Sequence, residues 1–139
     1  MNLKECVERG FLVPEHFSKD LIEKELAESE YDYSRAQKAF ADKDYKWAII
    51  QCYYSMFHAA KALCFKQSYR EKKHIALLIL LEELSKEGKL EQKYVTYFGA
   101  SVDSREEADY NYHYSSEIAQ HNLKITLEFN LKIKQLLNK

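Results

Sequence analysis

Glycine and proline are nearly missing: three and one occur among 139 residues. An all-β fold needs many tight turns built on those residues, so their scarcity excludes most sandwiches and barrels and favours a few long helices. Long hydrophobic runs are missing too. The longest aliphatic stretch, Ile75 to Leu81, falls far short of the roughly 20 apolar residues that span a bilayer. The first nine residues mix acids with bases and hold no apolar segment. Neither membrane anchoring nor export is expected, and the expected location is cytoplasmic. Charge of one sign is not in excess, because 21 Lys and Arg meet 22 Asp and Glu for a net charge of −1. No global field draws the chain to phosphate backbones, so any nucleic-acid contact must be local. Cys6, Cys52 and Cys64 show no C-x-x-C spacing and read as reduced thiols acting as small hydrophobes. Neither G-x-x-x-x-G-K nor G-x-G-x-x-G occurs, which excludes the P-loop and dinucleotide-binding routes to nucleotide.

What is present suits one soluble helical domain. Hydrophobic residues make up 46% and charged residues 31%, enough apolar material for a single core with a charged surface around it. Asn2 to Arg9 forms a short helix stopped by Gly10, and residues 1–17 are expected to be an appendage and connector. From Ser18 as N-cap, Ile22, Leu26, Ser29, Tyr33, Ala36 and Phe40 recur at helical spacing. After Asp42-Lys43-Asp44 a second stripe runs Trp47, Ile50, Tyr54, Phe57, Lys61 and Cys64, with alanines and cysteines beside it. That breadth predicts a central helix. Further helices are predicted from Lys72 to Lys86, ended by Gly88, from Glu91 through Tyr112, and from Ser115 or Ser116 to the C-terminus. The whole is expected to be all-α: an up-and-down four-helix bundle over residues 18–139 with a short extra N-terminal helix.

Chemistry concentrates in Arg105-Glu106-Glu107-Ala108-Asp109-Tyr110-Asn111-Tyr112-His113. At about 100° per residue, a continued helix would bring Tyr112 to within about 20° of Arg105, Asp109 to about 40° and His113 to about 80°. Arginine clamps phosphate, histidine moves protons and tyrosine orients or accepts a group, so Arg105 and His113 are the candidate catalytic pair of a metal-independent ribonuclease. Asp109 and Tyr112 join them as groove residues. On the second helix, His58 follows Tyr54 by four, and the two are candidates for the floor of a polar groove. Glu71-x-x-His74 has the spacing of a di-iron ligand pair, but such sites need two copies and two more glutamates; no metal site and no cofactor are expected. Eleven tyrosines, clustered at Tyr31 to Tyr33, Tyr53 to Tyr54, Tyr94 to Tyr97 and Tyr110 to Tyr114, suit a protein interface.

Taken together, the helix before Asp42, the Tyr-Tyr-Ser-Met-Phe-His-Ala-Ala segment, Arg70-Glu71-Lys72-Lys73-His74 and Arg105-Glu-Glu-Ala-Asp109-Tyr110 resemble the HEPN domains, in particular their small stand-alone prokaryotic branch. The resemblance covers about residues 25–137. It implies a homodimer whose Arg-bearing helix lines a cleft shared by the protomers, and a toxin–antitoxin pairing with a minimal nucleotidyltransferase. It also implies RNA or nucleotide as ligand. Active HEPN ribonucleases carry Arg, four to six residues, then His. Here seven residues separate Arg105 from His113, and Tyr112 stands where the longest such spacing would put histidine. The resemblance therefore favours binding over cleavage. Some toxin relatives accept AMP on a tyrosine near this motif, which makes Tyr110 and Tyr112 the candidate acceptors.

Overall fold

A computed structural model describes residues 1–139. Helix α1 (Leu3–Glu8) and strand β1 (Leu12–Pro14) precede two long helices, α2 (Lys19–Ala41) and α3 (Tyr45–Lys66). Strand β2 (Tyr69–Glu71), α4 (Ile75–Lys86), α5 (Gln92–Tyr110) and α6 (Ser116–Leu137) follow. The starts are set by side-chain caps. Ser18, Asp44 and Ser115 each accept the backbone N–H three residues on, satisfying donors that a helix end leaves without partners.

Fourteen of the 22 residues of α3 are buried, as a helix with neighbours on several sides requires. It packs against α2, α5 and α6, and these four long helices make the bundle. The remaining long segment of the periodicity, α4, is only 12 residues long and packs against α1, α3 and α5. The main core joins Met56, Leu63, Leu77, Leu81, Phe129 and Ile133, all essentially without exposure.

Contact between α2 and α3 is close because small polar residues face each other. Ser29 donates to the Ser55 carbonyl and Ser55 donates back to the Ser29 carbonyl, each at 2.7 Å. Asn130 of α6 donates to Ser55 Oγ at 2.9 Å. The second stripe splits: Ile50 and Phe57 face inward, whereas Trp47 and Tyr54 look out to solvent.

Residues 1–17, read from the sequence as an appendage and connector, are tied into the bundle. Cys6 and Leu12 are fully buried in the main core, and the Phe17 ring stacks on Phe65 at 3.7 Å. β1 pairs antiparallel with β2, with Val13 opposite Arg70, and the Arg70 guanidinium holds both carboxylate oxygens of Glu15 at 3.1 Å. This ribbon was not expected. Each strand is three residues long, too short for a period-two pattern to register.

Candidate functional site

Arg105 sits on α5 with its guanidinium over a tray of aromatic rings: Tyr53 at 5.4 Å, Tyr54 at 6.0 Å and Tyr110 at 5.5 Å. Asp109, one turn on, approaches its Nη2 at 3.5 Å, the i,i+4 pair that the spacing predicts. Burial works against the guanidinium charge, but Tyr54, Tyr110 and Asp109 outweigh it and hold its pKa above the ordinary value. Its Nε is buried with no hydrogen-bond partner, and its side chain keeps 23% of its surface exposed. A cation held on ring faces, with donors left over, is prepared for an anion.

Tyr112 and His113 do not share that face. α5 ends at Tyr110, Asn111 caps it, and Tyr112 turns the chain in the left-handed region at φ 55°. The His113 amide then donates back to the Glu107 carbonyl at 2.9 Å. The angular reckoning from a continued helix is therefore corrected. Tyr112, 74% exposed, stands out with Lys46 5.7 Å from its ring. His113 lines a different depression, with Asp103, Glu107 and His121, on the side of α5 facing away from Arg105. No glycine marks this helix end, which is why periodicity ran through it.

His58 lies on the α2 side of Tyr54, one turn along α3. Its Nδ1 is 2.7 Å from Glu25 and its Nε2 3.7 Å from Asp32. Lys61 continues the chain of charge, 3.6 Å from Glu25 and 3.9 Å from Glu71. Burial pushes the Glu25 pKa up, but the hydrogen bond from His58 and the charge of Lys61 overcome it and leave the carboxyl below its usual range. Asp32, with weaker partners, is pushed up by burial. Tyr54 thus lies between the Arg105 cluster on one side and a histidine–carboxylate cluster on the other.

The Glu71-x-x-His74 pair separates: Glu71 turns to Lys61, while His74 Nδ1 lies 3.1 Å from the Tyr53 hydroxyl. Nowhere do three or more His, Cys, Asp or Glu side chains gather as a metal site would need. The thiols are buried, and burial pushes Cys52 and Cys64 up to about 12, which suits filling space rather than nucleophilic chemistry. No helix is long and apolar enough to cross a membrane. Sequence reasoning missed the placement of Tyr53 and His74. Tyr53 reads as one of the clustered tyrosines and His74 as half of a metal motif, yet both line the cavity that Arg105 also lines.

Comparison with known proteins gives a consistent match. A family model of the HEPN domain matches residues 22–136. A "UPF0332 protein" of Archaeoglobus fulgidus is 30% identical over 122 residues, covering 86% of this chain and 98% of that protein. Two proteins of Methanocaldococcus jannaschii are similar over shorter stretches. "Putative toxin MJ0142" is 28% identical over 91 residues, covering 65% of this chain, and "Putative toxin MJ0605" is 32% identical over 83 residues, covering 59%. The matched segments span 62% of the length of each of these two.

Proposed function

The chain belongs to the HEPN domain family, and from that premise we propose that it is a toxin-like HEPN binding module: a homodimer whose Arg105 groove takes RNA or a nucleotide. The carrying observation is the Arg105 guanidinium itself, held on three tyrosines with 23% of its side chain still open to solvent. A phosphate oxygen would meet the charge, and an unstacked base would find ring faces at Tyr54 and Tyr110. The names of the two archaeal relatives support the toxin-like reading. Separation of Arg105 from His113 within one protomer favours binding over strand cleavage, because proton transfer needs hydrogen-bond reach.

The test is binding of single-stranded RNA and of mononucleotides by fluorescence anisotropy and calorimetry. Arg105→Ala should remove at least ten-fold in affinity, since a charged hydrogen bond is worth about 1.5–3 kcal/mol. Unchanged affinity in this variant would sink the assignment. The same preparations, incubated with RNA in chelator, address the endoribonuclease alternative; cleavage lost in both Arg105→Ala and His113→Ala would restore it.

One observation favours a nucleotidyltransferase as partner. Tyr110 is 64% exposed and packs its ring 5.5 Å from Arg105. Its oxygen could attack the α-phosphorus of a nucleotide carried by the partner, losing its proton and displacing pyrophosphate, while Arg105 steadies the phosphoryl charge. Intact-mass analysis after incubation with such a partner and ATP should show one added AMP per chain, lost in Tyr110→Phe and kept in Tyr112→Phe.

A further inference from the structure

The cavity beneath Arg105 is bounded by α3, α4 and α5 and has a volume of about 240 Å³. Its chemistry is divided. Arg105 and His74 supply donors, Glu106 supplies an acceptor, and Ile75, Leu78 and Val102 make an apolar wall over Phe98. Tyr53 joins the two donor groups. Its ring lies under the guanidinium at 5.4 Å, and its hydroxyl meets His74 Nδ1 at 3.1 Å. The Phe57 ring, 4.6 Å from the imidazole, holds it from the other side. With Nδ1 taken by Tyr53, Nε2 is the nitrogen left for anything outside. If the tyrosine O–H donates to Nδ1, Nε2 carries the proton and is itself a donor.

Two donors of this kind, one of them a permanent cation that lines the cavity with 23% of its side chain exposed, call for an anion between them. The apolar wall calls for a flat or aliphatic body attached to that anion. The exposed Glu106 carboxylate suits a hydroxyl or amino group at the same end. A nucleotide has all three parts. A duplex does not fit, because its bases are paired and stacked and cannot enter a depression of this size.

We infer that this cavity binds one unpaired nucleotide, its phosphate between Arg105 and His74 and its base against Ile75, Leu78 and Val102. The inference rests on the reading of Arg105 as a phosphate-binding residue. It adds a second phosphate contact, His74, that the Arg-to-His spacing of the motif does not contain. It also states a selectivity for single nucleotides or unpaired ends over duplex RNA. His74 and Tyr53 act here by binding and positioning; no proton transfer is assigned to them.

AMP serves as the probe, titrated by calorimetry and by NMR of the histidine ring protons. Wild type should bind AMP, and the ring signals of His74 should move while those of His113 stay. His74→Gln, a change at an exposed residue, should weaken AMP about ten-fold, the loss expected for one hydrogen bond to a charged group. Val102→Phe, checked for fold by circular dichroism, should block the base and leave inorganic phosphate as the better ligand. Single-stranded RNA should compete with AMP and blunt duplex RNA should not. AMP affinity unchanged in both variants, or a silent His74, overturns the inference. If Arg105→Ala still abolishes RNA binding in that case, the groove reading survives and the ligand lies on the outer face, at Tyr54 and Tyr110. Should RNA binding be indifferent to Arg105 as well, both readings fall together.

Discussion

Glu25 and Asp32 flank the same imidazole, yet their ionisation pulls stability in opposite directions. The pKa of Glu25 lies below its ordinary 4.5, so its folded form favours the carboxylate. That stability is present above the unfolded value and is lost as pH falls through the lower folded one. Asp32 lies above its ordinary 3.8, so its charge at neutral pH costs stability, and the cost disappears on protonation. Glu25→Gln is therefore expected to lose about 1–2 kcal/mol at pH 7 in urea denaturation, with the difference closing below pH 4 or so. Asp32→Asn should hold or gain stability at pH 7. A loss in Asp32→Asn as large as in Glu25→Gln would mean that His58 needs both carboxylates. At this scale the sequence was informative where one helix carries both partners. Arg105 with Asp109 follows from spacing alone. It was silent where tertiary packing supplies the partner. Nothing local to His58 points to Glu25, 33 residues earlier, and nothing local to His74 points to Tyr53 across the interface of α3 and α4.

Helix ends and helix contacts tell a similar story one level up. Gly10 and Gly88 take the left-handed conformation and were readable as stops. Lys43 does the same work without being glycine, at φ 62°. The Lys43 amide donates to the Phe40 carbonyl and the Asp44 amide to that of Ala39, the paired bonds that close α2. A left-handed lysine is strained, and its side chain is exposed, so Lys43→Gly should stabilise by about 0.5–1 kcal/mol and raise Tm by roughly 2–5 °C. An unchanged or lower Tm would show that the loop relaxes at no cost. Between helices, the Ser29–Ser55 exchange lets α2 and α3 approach closely, and Ser55 also receives Asn130. Ser55→Ala removes the buried bond to the Ser29 carbonyl and leaves the part-buried Asn130 amide without this acceptor, and a loss of about 1–3 kcal/mol is expected in denaturant unfolding. The end of α5, at Tyr110, is another stop made without glycine. Asn111-Tyr112 offers no glycine, and a tyrosine in the left-handed region is not something a periodicity argument anticipates.

For the whole molecule, the distribution of exposed aromatics is the feature that the single chain leaves without a use. Trp47 is 52% exposed and lies two turns before Tyr54 on the outer face of α3; Tyr110, Tyr112 and Tyr114 add exposures of 64%, 74% and 44% at the end of α5 and beyond. Lys46, next to Trp47, reaches the Tyr112 ring, which brings the start of α3 beside the turn after α5; of this set Tyr110 also touches Arg105. An interface of standard size covers about 800 Å² per partner, roughly a tenth of the 7788 Å² surface of this chain, which such a band can supply at its centre. If the homodimer forms there, light scattering at micromolar concentration should give twice the chain mass, and Trp47→Glu should give the mass of one chain with its circular dichroism unchanged. Trp47 is the only tryptophan, so its emission reports on this surface directly. Dilution of the wild type through the dissociation constant should move the emission to longer wavelength as the indole meets water. A wild type that dimerises with emission constant on dilution, and a Trp47→Glu variant that still dimerises, would move the interface elsewhere and leave the groove open to solvent in the dimer.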